Sequence, residues 1–322
     1  MLIVLVTSPR VAPGLLSWPA WQALRSASSV LVSAGHPQLP ALDEAGIGYR
    51  AVADADVELL AVDGVVVWLP EPGAEPPLPP GAQLLHGSAD LPGARFLDLV
   101  ATMDRLRVEC PWDARQTHAS LAPNLLEEPY EALEALESGD ERAFCEELGD
   151  VLLQVVFHAR IAAERADGTS FTVDDVADGI AAKLVRRHPH VFADVAVSGA
   201  EDVNRNWDEI KREEKKDRAE RSGVAAPLSV LSALDGVPFG QPALALAAQL
   251  QSRAVRAGVP DHLARLDGGA SGSADDATDG EDIGGELFRL VAKARELGID
   301  PEMELRAAAR RYRDLVHAWE RS

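Results

Sequence analysis

Two amphipathic segments, each carrying a pair of acidic residues, constrain the fold of this chain most strongly. Glu128 and Glu131 lie in LLEEPYEALEALE, and Glu147 and Asp150 lie in CEELGDVLLQVVF. The spacing of three places both carboxylates of a pair on one helical face, and the apolar residues that follow predict a buried face on each helix. If the two helices pack antiparallel, the four carboxylates come together, and such a cluster persists only if it binds cations or protons.

Oxygen ligands alone favour Mg²⁺, with Mn²⁺ as a substitute, over zinc. A ferritin-like di-iron site would need Glu-x-x-His, a tetrapeptide that does not occur in the sequence. Because Mg²⁺ keeps several waters, a carboxylate site leaves room for substrate phosphates and an attacking water. The predicted reaction is therefore phosphoryl transfer, which depends on charge neutralisation and positioning.

Basic and aromatic residues around the acidic pairs are candidates for binding a nucleotide. They are Trp112, Asp113, Lys183, Arg186, Arg187, Trp207 and Lys211. The three basic residues of KLVRRHPHVF recur at helical spacing, as a stripe suited to a polyphosphate. The tryptophan and lysine of 207–211 are four apart and offer a ring for base stacking beside a positive charge. The segment CPWDARQT precedes the acidic helices and could close over a nucleoside.

Each of these features has a simpler interpretation. Glutamate-rich helices are usually solvated surfaces, and a basic stripe often complements the dipole at a helix end. Trp207 alone would be core or interface, and His188 and His190 are interpreted as residues that help to end a helix at Pro189. The functional interpretation rests on their occurrence together in one helical segment.

The overall charge limits the partners. The formal net charge of -21 argues against broad contact with nucleic acid, which needs a basic face. A nucleoside triphosphate remains compatible with it, since this substrate arrives as its magnesium complex. Cys110 and Cys145 form no spacing motif, which indicates a reducing compartment. The apolar start MLIVLVTSPR lacks a basic region and is too short for a bilayer span, so we expect a cytoplasmic protein without membrane contact.

We predict a mainly α protein of three domains. They are a small α/β domain at 1–92, a helical domain at 93–222 and a second helical unit at 223–322. Aliphatic runs predict buried strands at Leu2–Val6, Ser29–Val32 and Val65–Leu69. The proline-rich LPEPGAEPPLPPG that follows is interpreted as a linker or tethering loop. The low-complexity insert at 267–282 is expected to be disordered.

Apolar residues at helical spacing predict the helices of the central domain. The third of them should run from Glu141 to Arg165, with Asp140 as its N-cap. Its inward face is predicted to consist of Leu148, Leu152, Val155 and Ala159. Thr172 with Asp175 predicts a capping box for the fourth helix.

The segment EDIGGELFRLVAKAR (281–295) aligns without gaps to EELGDVLLQVVFHAR (146–160). The apolar face is retained, but Asp282 stands in place of Glu147 and Gly285 in place of Asp150. We interpret the second copy as a degenerate repeat that kept its packing and lost its ligands.

The order of CPWD-x-x-QT, LLEE-x-x-E, ELGD, K-x-x-RRHPHVF and W-x-x-IK-x-E resembles the MazG family of nucleoside triphosphate pyrophosphohydrolases. The resemblance covers roughly residues 95–220. It implies all-α four-helix units that form a dimer, and Mg²⁺-dependent hydrolysis of a nucleoside triphosphate to monophosphate and pyrophosphate, as housecleaning of non-standard nucleotides. It also implies Mg²⁺ ligation by Glu128, Glu131, Glu147 and Asp150 with help from Glu127, and nucleotide binding by Lys183, Arg187, Trp207 and Lys211.

Two features depart from familiar patterns. Pro129 lies inside the acidic signature, and we predict that the helix starts near it, since proline fits the first turn but not a helix interior. The N-terminal segment resembles the opening of tetrapyrrole methylases, but Thr7-Ser8-Pro9-Arg10 replaces their glycine-rich loop. We therefore expect a remnant used for packing.

Two other functions compete with this one. The first is a related all-α pyrophosphohydrolase acting on dUTP or phosphoribosyl-ATP. The second is a regulatory protein that binds nucleotide without turnover.

Overall fold

The structure is a computed structural model that describes residues 1–53, 64–74, 76–193, 195, 197–199, 202–203, 206–207, 209–210, 213–214, 232–264, 266 and 282–322. It comprises two compact units, Met1–Arg186 and Arg187–Ser322. The predicted class is confirmed, because helices dominate and a small α/β part stands at the N-terminus. The domain boundaries after residues 92 and 222 stay predictions. None of the described helices has the length and hydrophobicity of a bilayer span.

A parallel sheet forms the start of the first unit, in the order β3-β2-β4-β1-β5. Its strands are β1 Leu2–Val6, β2 Ser29–Ser33, β3 Arg50–Val52, β4 Val66–Leu69 and β5 Gln83–His86, with helices α1 Trp18–Ser26 and α2 Leu39–Glu44 between them. The three predicted strands are confirmed, with β4 beginning one residue later. The edge strands β3 and β5 went unpredicted because they are short and largely exposed, so neither has an aliphatic run. The proline-rich segment connects β4 to β5 within this sheet.

Arg10 links the sheet to the helices that follow. Its Nε donates to Asp98 Oδ1 at 2.8 Å, and its Nη1 donates to Asp90 Oδ2 at 2.6 Å. The guanidinium is largely buried, and Asp98 lies in the first turn of the next helix. The loop after β1 is thus held by ion pairs to Asp90 and Asp98, and its origin as a methylase remnant stays a prediction.

Helices make up the rest of the first unit. They are α3 Phe96–Glu109, a 3-10 turn Asp113–Arg115, α4 His118–Ser138, α5 Glu141–Ala162 and α6 Val173–Arg187, whose last residue already belongs to the second unit. Helix α7 Pro189–Phe192 follows in that second unit. Gly139 ends α4 with a φ of 75°, and the Asp140 side chain caps α5 by accepting from the amides of Arg142 and Ala143. A two-residue connection forces α4 and α5 into an antiparallel hairpin. The capping role of Asp140 is confirmed, and α5 ends three residues earlier than predicted.

The predicted start of α4 near Pro129 is wrong. The helix begins at His118, where Thr117 and Ser120 form a capping box, and Pro129 lies in its interior. Pro129 has no amide N–H to donate to the carbonyl of Leu125, and both residues are exposed. Water can therefore satisfy that carbonyl, while Leu121, Ala132 and Ala135 are buried and hold the helix in place. This packing offsets the local penalty of the proline.

The predicted inward face of α5 is also partly wrong. Ala159 is buried, but Leu148, Leu152 and Val155 are exposed in the single chain. Val156 and Phe157 occupy the core instead, together with Met103 and Leu121. The buried face of α5 is thus rotated from the predicted one, because it meets both α3 and α4. The capping box of α6 is confirmed, since the Thr172 and Asp175 side chains each accept a hydrogen bond from the other's amide.

The second unit contains further helices. Those with described bounds after α7 are α8 Ala243–Arg256, α9 Asp261–Ala264, α10 Ile283–Glu296 and α11 Pro301–Glu320. The degenerate copy is α10, and it packs against α8. Apart from Asp282, the insert predicted to be disordered lies outside the described residues, as does Lys211.

Candidate metal centre and active site

Three carboxylates from α4 and α5 meet on the helical hairpin. Glu128, Glu147 and Asp150 each offer an oxygen, and these oxygens lie within 4.8 Å of one another. Glu128 and Glu147 are half-buried, and Asp150 is exposed. The antiparallel hairpin produces this acidic trio because the middle of α4 lies opposite the second and third turns of α5.

The remaining predicted acids lie close to the trio. Burial raises the pKa of Glu128, and the charges of Asp150, Glu131, Glu127 and Glu147 raise it further. Burial likewise raises the pKa of Glu147, with contributions from Glu131, Asp150 and Glu146. Glu131 is thus a near neighbour of the trio, although its oxygens are not part of it. Glu127 is exposed.

This donor set fits a hard divalent cation. All three ligand groups are carboxylates, which suit Mg²⁺ or Mn²⁺ rather than zinc. Burial raises the pKa values of Glu128 and Glu147 first and the neighbouring carboxylates raise them further, so keeping both groups ionised here costs free energy. A cation would remove that penalty, and partial exposure leaves room for a substrate.

Gln154 is a buried polar residue beside the trio that sequence reasoning missed. Its side chain is only 5% exposed, and its Nε2 donates to Glu128 Oε1 at 3.5 Å. Its Oε1 is buried without a hydrogen-bond partner among the described residues. The available signal was a glutamine in the apolar run VLLQVVF, one turn after Asp150 and on the same face.

A histidine pair joins the same two helices. The Nδ1 atoms of His118 and His158 are 2.7 Å apart, and the rings are parallel, with centroids 5.1 Å apart. Burial, followed by the neighbouring His118, lowers the pKa of His158. This contact between α4 and α5 was not predicted either, because no local motif announces a pair separated by 40 residues.

The loop that carries Trp112 and Asp113 is anchored by Arg107. This arginine pairs with both carboxylate oxygens of Glu164 at 2.9 Å, and its Nη1 donates to the carbonyls of Asp113 and Gln116. Asp113 is buried beside it, in a structural position outside the acidic trio.

Trp112 stays half-exposed, with its ring meeting Phe157 edge-on at 6.5 Å. Since Phe157 is seven residues beyond Asp150 on α5, the two positions are separated by about 10 Å along the helix. Trp112 therefore lies within a nucleotide's length of the trio.

The predicted basic stripe lies at the end of α6. Val173, at the start of this helix, packs on the core of α3, α4 and α5, whereas none of the fifteen described residues of α6 is buried. Lys183 is half-buried and Arg186 exposed. Lys183 is ten residues from Val173, about 15 Å along the helix axis.

The remaining candidates lie in the second unit. Arg187 forms a two-point ion pair with Glu214, at 2.6 Å and 3.4 Å, and both side chains are largely buried. The ring of Trp207 meets His188 edge-on, with centroids 5.1 Å apart. Both residues are thus engaged with neighbours within that unit. Lys211, the fourth residue after Trp207, is outside the described part of the chain.

In the described residues of the segment interpreted as the degenerate copy, the start of α10 explains the lack of an equivalent trio. Asp282, in the position of Glu147, is the N-cap of α10, and its Oδ1 accepts from the amide of Gly285 at 2.9 Å. A Cβ on Gly285, the counterpart of Asp150, would lie 1.9 Å from Asp282 Oδ2. The helix therefore begins at the two positions that carry ligands in the first copy. Asp282 is used as the N-cap, and its carboxylate fills the space that a side chain on Gly285 would need.

Comparison with known proteins agrees with this geometry. Residues 116–192 match the family model of the MazG nucleotide pyrophosphohydrolase domain, a segment that contains the acidic trio and the basic stripe. The chain is 47% identical over 241 residues to an uncharacterized 26.1 kDa protein of Streptomyces cacaoi, covering 75% of this chain and 89% of that protein.

Two named relatives extend this similarity. The nucleoside triphosphate pyrophosphohydrolase of Mycolicibacterium smegmatis is 46% identical over 183 residues, which cover 57% of this chain and only 53% of that protein. The nucleoside triphosphate pyrophosphohydrolase/pyrophosphatase MazG of Thermotoga maritima is 38% identical over 235 residues, covering 68% and 83%. With a named relative matched over most of its length, the chain belongs to the MazG family of nucleotide pyrophosphohydrolases.

Proposed function

We propose that this protein hydrolyses nucleoside triphosphates to the monophosphate and pyrophosphate, with Mg²⁺ bound at the acidic trio. The observation that carries the proposal is the meeting of Glu128, Glu147 and Asp150 within 4.8 Å, inside the segment that matches the family. The names of the mycobacterial and Thermotoga relatives support the same reaction.

The acidic residues have distinct roles in this proposal. Glu128, Glu147 and Asp150 bind the cation, and Glu131 completes the set from the next turn of α4. Bound Mg²⁺ supplies charge neutralisation for the phosphates and positions the attacking water. Glu127, exposed next to Glu128, helps to orient that water or acts as an outer group.

The nucleotide is held by the aromatic and basic residues. Trp112 is exposed on one side and braced by Phe157 on the other, so its free face suits a base. Asp113 holds the shape of that loop. Lys183 and Arg186 bind the phosphates as members of the basic stripe, and Arg187, Trp207 and Lys211 help to hold the phosphates and the base, with the Trp207 ring stacking on the base. The physiological role is housecleaning of non-standard nucleotides in the cytoplasm.

A homodimer brings the parts of this site together. The stripe of Leu148, Leu152 and Val155 on α5 is exposed in the single chain, as is a similar stripe on α6, namely Val176, Ile180 and Leu184. Exposed large apolar side chains at helical spacing are typical of an interface. We propose that a second copy covers both stripes and that the basic residues at the end of α6 then approach an acidic trio.

The test is a substrate panel with product analysis. The purified protein would be incubated with normal and oxidised nucleoside triphosphates, dUTP and phosphoribosyl-ATP, with Mg²⁺, Mn²⁺ or a chelator. We expect equal amounts of monophosphate and pyrophosphate, with no turnover in the chelator. Binding without product would support the regulatory alternative, and turnover of dUTP or phosphoribosyl-ATP alone would support the related hydrolases.

A further inference from the structure

Gln154 is a buried amide beside the acidic trio that the proposed function leaves without a role. It lies one turn after Asp150 on α5, with its Nε2 3.5 Å from Glu128 Oε1. The distance is long for a hydrogen bond, but contacts in active sites are often long before the ligand binds. The residue is 95% buried, since its exposed fraction is 5%.

The unpaired end of the same side chain argues against a packing role. Oε1 of Gln154 is buried and lacks a partner in the described ranges, which destabilises the folded protein. An apolar residue of the same volume would fill the space without that penalty. Val156 and Phe157, its neighbours on α5, show that this part of the hairpin accepts apolar side chains.

The Nε2–H group of Gln154 faces the Glu128 carboxylate, which needs a hydrogen-bond donor. Glu128 is crowded by Asp150, Glu131, Glu127 and Glu147, whose charges repel its carboxylate. A neutral N–H donor stabilises that carboxylate without adding a positive charge, whereas lysine or arginine would compete with a cation for the site.

We propose that Gln154 is a positioning residue of the metal centre. Its Nε2–H holds the Glu128 carboxylate in the orientation that binds the cation, and its Oε1 accepts from a donor that enters with the cation or substrate. The proposal rests on the proposed function, because it concerns the same cation site. Outer residues that orient metal ligands typically change metal affinity by about 10- to 100-fold.

The decisive experiment measures Mn²⁺ binding without nucleotide, by the electron paramagnetic resonance signal of free Mn²⁺. Gln154→Met removes both polar ends and keeps the volume. We expect its Mn²⁺ dissociation constant to rise about tenfold, while the melting temperature of the metal-free protein stays equal or rises. In hydrolysis assays, the Mg²⁺ concentration for half-maximal rate should rise similarly, with the rate at saturating Mg²⁺ within about twofold of wild type.

Gln251→Met is the matched control. Gln251 is the buried glutamine of the second unit, and its Nε2 donates to the carbonyl of Phe288 at 2.7 Å, not to a carboxylate. This variant should bind Mn²⁺ like wild type. Equal Mn²⁺ affinity of wild type and Gln154→Met, in a wild type that binds and turns over, would overturn this inference alone. A wild type that binds no Mn²⁺ would overturn the proposed function as well.

Discussion

His118 and His158 share one short hydrogen bond across the α4–α5 hairpin, with their Nδ1 atoms 2.7 Å apart. One imidazole must donate and the other accept, so the pair is neutral as a unit or carries one added proton. Both Nε2 atoms are buried without partners in the described structure. A second positive charge therefore has no stabilising group there, and the hairpin resists protonation.

This pair predicts a loss of stability in acid. The pKa of His158 is lowered below the ordinary histidine value of 6.5, first by burial and then by His118. The unfolded chain therefore takes up a proton more readily than the folded one. The contribution of His158 to stability is fully present at a pH above the pKa that it has in the unfolded chain. It is lost as the pH falls through the lower pKa that it has in the folded protein.

The measurement is the free energy of unfolding in urea between about pH 8 and pH 5, without metal. Wild type should lose more stability over this interval than His158→Gln. Glu128 and Glu147 have raised pKa values and therefore change the pH dependence of stability in the opposite direction. Because both proteins contain them, their contributions cancel in the comparison. Parallel profiles for the two proteins would contradict this account of the pair.

Pro129→Ala should stabilise the protein. The residue lies inside α4, where proline lacks the amide and crowds the preceding turn, and its ring is exposed. Restoring the helical hydrogen bond stabilises the folded protein, whereas alanine also gives the unfolded chain more conformational freedom, which lowers stability. The net effect should raise the unfolding free energy by about 2 kcal/mol. Denaturant unfolding would measure this. A less stable variant would show that a proline-induced bend is required for the hairpin.

Gly285→Asp, which restores the ligand type of the first copy, should destabilise the second unit. The new Cβ would collide with the capping carboxylate of Asp282, and loss of an N-cap costs about 1 kcal/mol. Gly284→Ala is the control, because its Cβ would meet Asp282 at an ordinary 3.9 Å. Thermal unfolding should show a lower midpoint for the first variant only. An unchanged midpoint for Gly285→Asp would refute the cap as the reason for the missing ligands.

Ile180→Glu should weaken the proposed dimer. Ile180 is 48% exposed in the middle of the apolar stripe on α6, and an interface would bury the introduced charge. Light scattering should give a mass near the 34.4 kDa of one chain for this variant and twice that for wild type. Val108→Glu, at a 74% exposed position on α3, should remain dimeric. A wild type of single-chain mass at all concentrations would rule out the dimer.

Local signals predicted part of this structure, and long-range contacts account for the rest. The start of α5 was predictable from Asp140, and the trio from two i,i+3 pairs joined by a short connection. The start of α4 was not, because packing of its buried face overrides the local preference of Pro129. Gln154 and the His118–His158 pair were missed since each depends on a partner from the other helix.

In the proposed reaction, hydrolysis depends on a cation that the acidic trio of the first copy binds. The direct measurement is Mg²⁺-dependent pyrophosphate release by wild type, Glu147→Gln and Glu146→Gln. Glu146 is the adjacent acid on α5, exposed and paired with Arg142, so its variant makes the same charge change outside the trio. We predict a loss of at least about 100-fold for Glu147→Gln, as for other groups that stabilise transition-state charge, and near wild-type rates for Glu146→Gln. Equal rates in all three proteins would show that hydrolysis does not depend on the acidic trio.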